Sequence, residues 1–590
     1  VGSGKWEVVA SPTLNPCEVG NAHPTHHVIG IWNPVVELIG VGAQKLNLSP
    51  LLHFLLPTSH SLLPMLRPAA LLLLPTLLLG IAAPAIAVTE ISVGIVQRFG
   101  DGQIDGQASV ERLILSSGDN RPLTLQFKDG NGQPTTTTAA SLTLEIRPQP
   151  QANPVLQEWV VLGDHATFET AEDHAKRWAS RGIEVEVTQP GRWQVWAKRD
   201  VYATPLLRRK LLENLEEAGE TGPYLHSELL QTTPIVSFQV GNFRYNRTEL
   251  AITSPSNRIR VQDAEGTILY GGRMHVQPNA YGDFTLVNEV DIETYLRGVV
   301  PHEIGPQAPY TAVQAQTVIA RTYALRNTRR FRADNYELCA TVHCQVYKGL
   351  TGTVATADQA IQTTAGQVLT YDNELVDALY SAHSGGVTAQ FEDIWDGAAR
   401  LYLQARVDAI APPWDLAQNP LNTEPAIRAF LNQRQGFNGV NSPVFRWERS
   451  STLPELTADL NRYLERIKHP LNPVGRIIRM AVTERSPSGR IRILAITTDK
   501  GLIELRKTEA RSALGPPRST LFYLDPILNP QGELTGYRFV GGGFGHGVGL
   551  SQYSSYTLSQ QGWNYARILQ FYYPGTTLEA LTPEIVRYRE

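Results

Sequence analysis

One acid, two cysteines and two glycine-rich loops carry the residue types that could do chemistry in this chain. Glu303 lies in PHEIGPQAP, close to a glycine and bracketed by prolines, between two stretches of helical periodicity. A carboxylate on a short stiff connector between packed helices is held in place and partly desolvated. Both conditions lift a glutamate's pKa towards the range of a general acid. A solvated loop acid is the plainer alternative from position alone. Cys339, His343 and Cys344 cluster in LCATVHCQVYKG. A structural zinc wants four Cys, His or carboxylate ligands, and only these three are close in sequence, so a disulfide, free thiols and a metal site all stay open. Ser384-Gly385-Gly386 places a hydroxyl before a diglycine, which lets a sugar or carbonyl approach the backbone, or simply makes a tight turn. His383 and Ser384 do not suggest a serine hydrolase, because adjacent strand residues point to opposite faces and no G-x-S-x-G is present. Asp393 and Trp395 suit either a carbohydrate cleft or a core anchor. The run GGGFGHGVGLSQY at 541–553 offers no nucleotide site, having neither a P-loop Lys-Ser/Thr nor an alignable G-x-G-x-x-G. His546 within it fits a second acid/base, a sugar hydrogen-bond donor or a structural histidine.

The elements that must position Glu303 are legible over residues 287–325. Asp291 is an N-cap, followed by Tyr295/Leu296 and Val299/Val300 at helical spacing. Pro301 is expected to stop that helix and Pro309 to open the next. Ala312, Ala315, Ile319 and Tyr323 then mark one face of a second helix.

Taken together, LVNEVDIETYLRGVVPHEI, AVQAQTVIARTYAL, Cys344-Gln345-Val346-Tyr347, Ser384-Gly385-Gly386 with Trp395-Asp396, GFGHGVGLSQY and FYYPGT resemble the SpoIID/LytB family in its order. Members include stage II sporulation protein D lytic transglycosylases and LytB amidase enhancers. The resemblance covers 268–578 and implies a mixed α/β SpoIID-type domain acting on peptidoglycan glycan strands. It makes Glu303, the Glu of the Pro-x-Glu step, the catalytic acid. Arg321 and Tyr323, on the following helix, are candidates to orient the substrate or the acid, and Ser384, Gly385, Gly386, Asp393, Trp395, His546, Ser551, Gln552 and Tyr553 are candidates for contact with the substrate. The enhancer branch implies a cell-wall amidase as partner instead. No cofactor is required, although some family members bind zinc through His-x-x-x-Cys and a second Cys. Asn335 stands where that histidine would be.

The whole chain is expected to be an α+β multidomain protein. Residues 66–87, LRPAALLLLPTLLLGIAAPAIA, read as a signal peptide with Arg67 ahead of a short apolar run and Ala85-Ile86-Ala87 as its cleavage site. The run is too short to span a membrane, so no span is expected after cleavage and the protein would be extracytoplasmic. Residues 1–64 read as a leader upstream of the true start at Met65, with 65–87 as the signal. Cys17 would then be lost, and the two remaining cysteines of an exported chain read first as a disulfide. A small β-rich region follows at 88–150. Residues 152–220 give strand, helix, strand, strand, helix, a compact α+β unit. VVLGDHATFETAEDHAKRWASRG and GRWQVWAKR resemble a SPOR domain, which implies glycan binding, with Trp193 and Trp196 as aromatics that stack on sugars or fill a core. The SpoIID-like domain is expected at 240–580, with a helical insertion at 400–470. With 590 residues and 42% hydrophobic residues there is ample material for several cores. A net charge of −4 gives no general attraction to nucleic acid or anionic lipid.

Overall fold

A computed structural model describes residues 89–589 apart from 101, 102, 105, 106 and 109. The expected leader at 1–64 and signal peptide at 65–87 lie outside the described residues. Among those described, helices and strands are mixed over several sheets, and no helix is long and apolar enough to cross a membrane.

The sheet that supports Glu303 has seven strands, in the order Leu338–Cys339, Glu90–Phe99, Phe284–Asp291, Arg273–Pro278, Leu250–Thr253, Leu123–Lys128, Pro134–Ala139. Glu90–Phe99 runs antiparallel to Phe284–Asp291, with Val93 opposite Asn288, and parallel to Leu338–Cys339, with Gly94 opposite Cys339. The β-rich stretch at 88–150 therefore does not stand apart from the SpoIID-like region, because Glu90–Phe99 lies between Leu338–Cys339 and Phe284–Asp291, and Leu123–Lys128 pairs with Leu250–Thr253. Alternation in sequence reports which face of a strand is buried, not which strand lies beside it.

In the second sheet the 25-residue strand Ser141–His165 pairs with Tyr224–Val240 along most of its length. It also pairs with Trp193–Ala197, which in turn pairs with Val185–Thr188. The helices Phe168–Ala179 and Pro205–Glu217 complete the expected element order, each started by a threonine whose hydroxyl accepts from a backbone N–H, Thr167 and Thr204. Trp193 and Trp196 are not on the surface. They are 2% and 0% exposed, Trp193 packing on Phe168 and Phe331 and Trp196 stacking on Trp159. Neither ring can receive a sugar, since burying an aromatic of this size is favourable by itself and leaves no face open.

The expected helical insertion at 400–470 is larger and only partly helical. Its helices Glu424–Asn432 and Leu453–Arg466 flank the strand Arg446–Thr452, which pairs with Leu534–Gly542 far along the chain, Trp447 opposite Gly541. A three-stranded meander, Ile477–Arg485, Ile491–Thr498 and Gly501–Arg506, adds to it. Two cores of its own hold this region together, one around Trp447, Leu460 and Phe539, the other around Phe430, Phe437 and Phe445.

Candidate active site

Asp291 caps the helix Ile292–Arg297 by accepting from the Thr294 N–H at 3.0 Å. The helix ends at Gly298, before Pro301, which instead sits in the first turn of a second short helix, Val300–Glu303. A proline there loses nothing, because that N–H would have had no helical partner. Pro309 is the N-cap of the helix Tyr310–Arg326 rather than its first residue. Everything from Ala312 to Arg326 on that helix is buried, so the single apolar face read from sequence is only part of a helix enclosed on all sides.

Glu303 closes the short helix and points its carboxyl inward. Val346 donates its backbone N–H to Oε1 at 2.6 Å, and the Tyr380 hydroxyl donates to the same carboxylate. Burial pushes the Glu303 pKa from 4.5 up to about 7, against the pull of those two donors. Behind the acid runs a chain of neutral groups. Gln345 donates from Nε2 to the Tyr380 hydroxyl at 3.1 Å, and its Oε1 accepts from the Tyr295 hydroxyl at 3.3 Å. Gln552 donates from Nε2 to the Glu303 carbonyl at 3.0 Å and to Gln316 at 3.3 Å, while the Tyr556 hydroxyl donates to the carbonyl of Ile304. The acid is thus fixed by its own peptide as well as by its carboxyl.

Tyr380 and Gln345 carry much of this arrangement and were not singled out from sequence. The available signals were that Gln345 lies in the Cys-Gln-Val-Tyr match and that Tyr380 immediately precedes the Ser-Ala-His-Ser-Gly-Gly run.

The structure gives several expected substrate residues other work. Arg321 is fully buried, with Nε and Nη2 on Glu293 at 2.8 and 2.7 Å and Nη1 on the Gln367 carbonyl at 3.1 Å. All its donor sites face the interior, so it cannot orient a substrate. Tyr323 is buried, with its pKa pushed up to about 12 by that burial and with the Arg330 guanidinium over its ring. Ser384 is fully buried and donates to Asp408 Oδ2 at 2.6 Å. Gly385 has φ +74°, and a Cβ there would lie 2.6 Å from the carbonyl carbon of Gly542. Gly385 therefore serves an approach of backbone to backbone, against Gly542 and Gly543, while Gly386 faces the Phe437 ring. Asp393 is fully buried between Ser488 and Arg492, at 2.6 and 2.9 Å, and Trp395 packs on Phe391 and His546.

His546 uses both ring nitrogens within the fold. Nδ1 accepts from the Val548 N–H at 3.1 Å, and the ring also bonds the backbone of Tyr380. Burial, assisted by Arg511, drives its pKa down to about 3. A neutral ring bonded to the backbone of Val548 and of Tyr380 fits the structural role among the three expected for it. Ser551 is buried and accepts from the Ser384 N–H at 3.1 Å. Of the expected substrate residues, Gln552 is in contact with the peptide of Glu303, and Tyr553, 39% exposed, presents an aromatic ring to solvent beside Tyr556.

Cys339 and Cys344 are joined as a disulfide with Cα atoms 5.6 Å apart. With both sulfurs bonded to each other and Asn335 in place of the histidine, these residues do not fit a zinc ion. His343 gives its carbonyl to Arg330, and no group of three metal-ligating side chains occurs among the described residues. The bridge closes the turn that leads directly into Gln345 and Val346, the two residues that meet the acid's surroundings.

The fold and site define a mixed α/β protein built to hold one desolvated carboxyl among neutral hydrogen-bond donors, with no second carboxylate described as bonding to it. Residues 280–371 match the family described as Stage II sporulation protein (SpoIID), and 389–549 match a domain of unknown function, DUF8618. Similar proteins include the amidase enhancer of Bacillus subtilis, 28% identical over 303 residues, a match spanning 48% of this chain and 40% of that protein. Stage II sporulation protein D of Bacillus amyloliquefaciens is 25% identical over 317 residues, 51% of this chain and 78% of that one. An uncharacterized protein of Brachyspira hyodysenteriae is 28% identical over 327 residues, 53% and 73% of the two chains. Over about half its length the chain is thus similar to proteins of the SpoIID/LytB kind, and it spans 40% of the amidase enhancer's own length.

Proposed function

We propose that the protein is an extracytoplasmic peptidoglycan lytic transglycosylase that cleaves the bond between N-acetylmuramic acid and N-acetylglucosamine, with Glu303 as its single acid and base. The observation that carries this reading is a carboxyl raised by burial to about 7, near neutral pH, where a general acid works best. Glycoside hydrolysis usually needs two carboxylates, one of them to activate water. When the muramic acid's own 6-hydroxyl replaces water, one suffices. Protonated Glu303 gives its proton to the glycosidic oxygen as the C1–O bond breaks. The 6-hydroxyl then bonds to C1 and returns its proton to Glu303, leaving a 1,6-anhydro end. Tyr380 and the Val346 N–H steady the carboxylate between the two transfers. The Cys339–Cys344 bridge fits an exported protein.

A second reading, a non-catalytic activator of a cell-wall amidase, is favoured by the likeness to the amidase enhancer. The test is digestion of stem-peptide-free glycan strands by wild type and Glu303→Gln, followed by mass spectrometry. Anhydro-muramoyl ends from wild type alone support the transglycosylase. Absence of product from both supports the activator.

A further inference from the structure

A cavity of about 690 Å³, whose lining does not include Glu303, lies between the start of the inserted region and the helix Tyr565–Tyr572. Its walls include Arg406, Trp414, Asp415, Trp563, Arg567 and Phe571. The two arginines are laid on aromatic rings, Arg406 with its guanidinium carbon 3.9 Å from the centre of Phe571 and Arg567 3.8 Å from that of Trp563. Stacking of this kind fixes the plane of a guanidinium while leaving its edge donors free for a planar anion.

Neither arginine has a carboxylate within ion-pair distance among the described residues. Arg406 gives one nitrogen to the carbonyl of Phe571. The acid nearest in sequence, Asp408, has its oxygens taken by Ser384, Asn438 and Tyr572. Asp415 also lines the cavity, and its Oδ1 accepts from the backbone N–H groups of Ala417 and Gln418 at 3.0 and 3.1 Å. Trp414 is anchored through its indole N–H on the Asn419 carbonyl at 2.7 Å, which holds its ring as a fixed wall. Two stacked guanidiniums, neither in a direct ion pair among the described residues although Asp408 lies within the field of Arg406, are set among three aromatic rings and match a ligand with a carboxylate and a ring or apolar face.

Resting on the cell-wall reading above for the source of its ligand, we infer that this cavity, whose lining does not include Glu303, is a binding site for carboxylate-bearing fragments of the cell wall. The carboxylate could come from the lactyl group of muramic acid or from a stem peptide. Arg406 and Arg567 clamp it, and Trp414 and Trp563 cover the remainder of the ligand.

The test uses the full chain carrying Glu303→Gln, so that no probe is consumed, labelled with 5-fluorotryptophan. The Trp414 and Trp563 signals are assigned through Trp414→Phe and Trp563→Phe, and titrated by fluorine NMR. Three probes are compared: N-acetylmuramic acid, the free stem tetrapeptide, and N-acetylglucosamine, which has no carboxylate. Saturable shifts of both signals with muramic acid identify the sugar as the source, and shifts with the tetrapeptide identify the peptide. Either result holds for the inference if Arg567→Gln, at an exposed position, weakens that probe about tenfold or more, as loss of a charged hydrogen-bond donor does. Arg406→Lys, which keeps the charge but not the fork, should weaken it less. The inference is overturned if no carboxylate probe moves Trp414 and Trp563, if N-acetylglucosamine moves them equally, or if Arg567→Gln leaves the affinity unchanged. The readout sits on the cavity's own rings, so the result does not depend on whether Glu303 cleaves anything.

Discussion

Replacing Glu303 with glutamine should make the protein more stable while removing its activity, and the gain should depend on pH. In the unfolded chain the carboxyl ionises near 4.5, whereas burial holds it to about 7 in the fold. Between those values the folded protein binds a proton that the unfolded chain has released. Stability therefore falls as pH rises through that window. The penalty is absent below about 4.5 and complete above about 7. At 1.36 kcal/mol per pKa unit, and allowing for partial solvent access to the side chain, it comes to roughly 2–3 kcal/mol. Glutamine keeps an oxygen to accept from the Val346 N–H and has no charge to desolvate. Glu303→Gln should thus match wild type near pH 4 and exceed it by that amount above pH 7, a rise of a few degrees in Tm. Calorimetry of the two proteins at half-unit steps from pH 4 to 9 measures the difference. The same substitution should lower glycan cleavage by ~10²–10⁴-fold, the usual contribution of a general acid–base group. Parallel stability curves across the whole range, with no advantage for glutamine above pH 7, would show that the acid is solvated and would refute the reasoning.

Tyr380→Phe removes a hydroxyl that favours the ionised acid, so the Glu303 pKa should move further up. The pH profile of cleavage should shift to higher pH with it. Arg321→Met leaves Glu293 without its partner in a largely buried setting and should cost about 3 kcal/mol, seen as a lower Tm. The pH profile of whatever activity survives should not move, since Arg321 does not touch the site. Gly385→Ala should destabilise by at least about 2 kcal/mol, because its φ is left-handed and its Cβ meets the Gly542 backbone. Mild reduction opens a loop with a sequence separation of 5, worth about 2 kcal/mol by chain entropy, so dithiothreitol should lower the Tm of wild type but not of the Cys339→Ser, Cys344→Ser double variant.

Glu303 was legible because the features that place it are local. The aspartate cap and the second helix are legible as they stand, whereas the stop falls at Gly298 and Pro301 opens the short helix that ends at Glu303, so the local pattern marks where the acid sits and not what covers it. The residues that complete the site come from elsewhere in the chain. Val346 arrives 43 residues later and Gln552 249 residues later, and no local pattern marks which backbone N–H or amide will arrive. The same distinction explains the misread positions. Arg321 is a polar residue on a helix whose sequence shows one apolar face, and nothing local says that Glu293 and the Gln367 carbonyl will close over the other. Trp193 and Trp196, three apart in one strand, point to opposite faces, and the sheet they join is covered on both sides.

The two glycine-rich runs take this one step further. Each suggests a backbone opened for a ligand, and each is open, but to the other: Gly385 lies against Gly542, and His383 exchanges hydrogen bonds with Phe544 at 3.1 and 2.9 Å. Through that seam His546 reaches the backbone of Tyr380, and Tyr380 reaches Glu303. A glycine run far from the acid in sequence is thereby linked to the acid's hydrogen-bond partner through the fold. Substitutions in 541–547 should accordingly shift the pH at which Glu303 works before they weaken binding of glycan, whereas a loop that held sugar directly would show the reverse order.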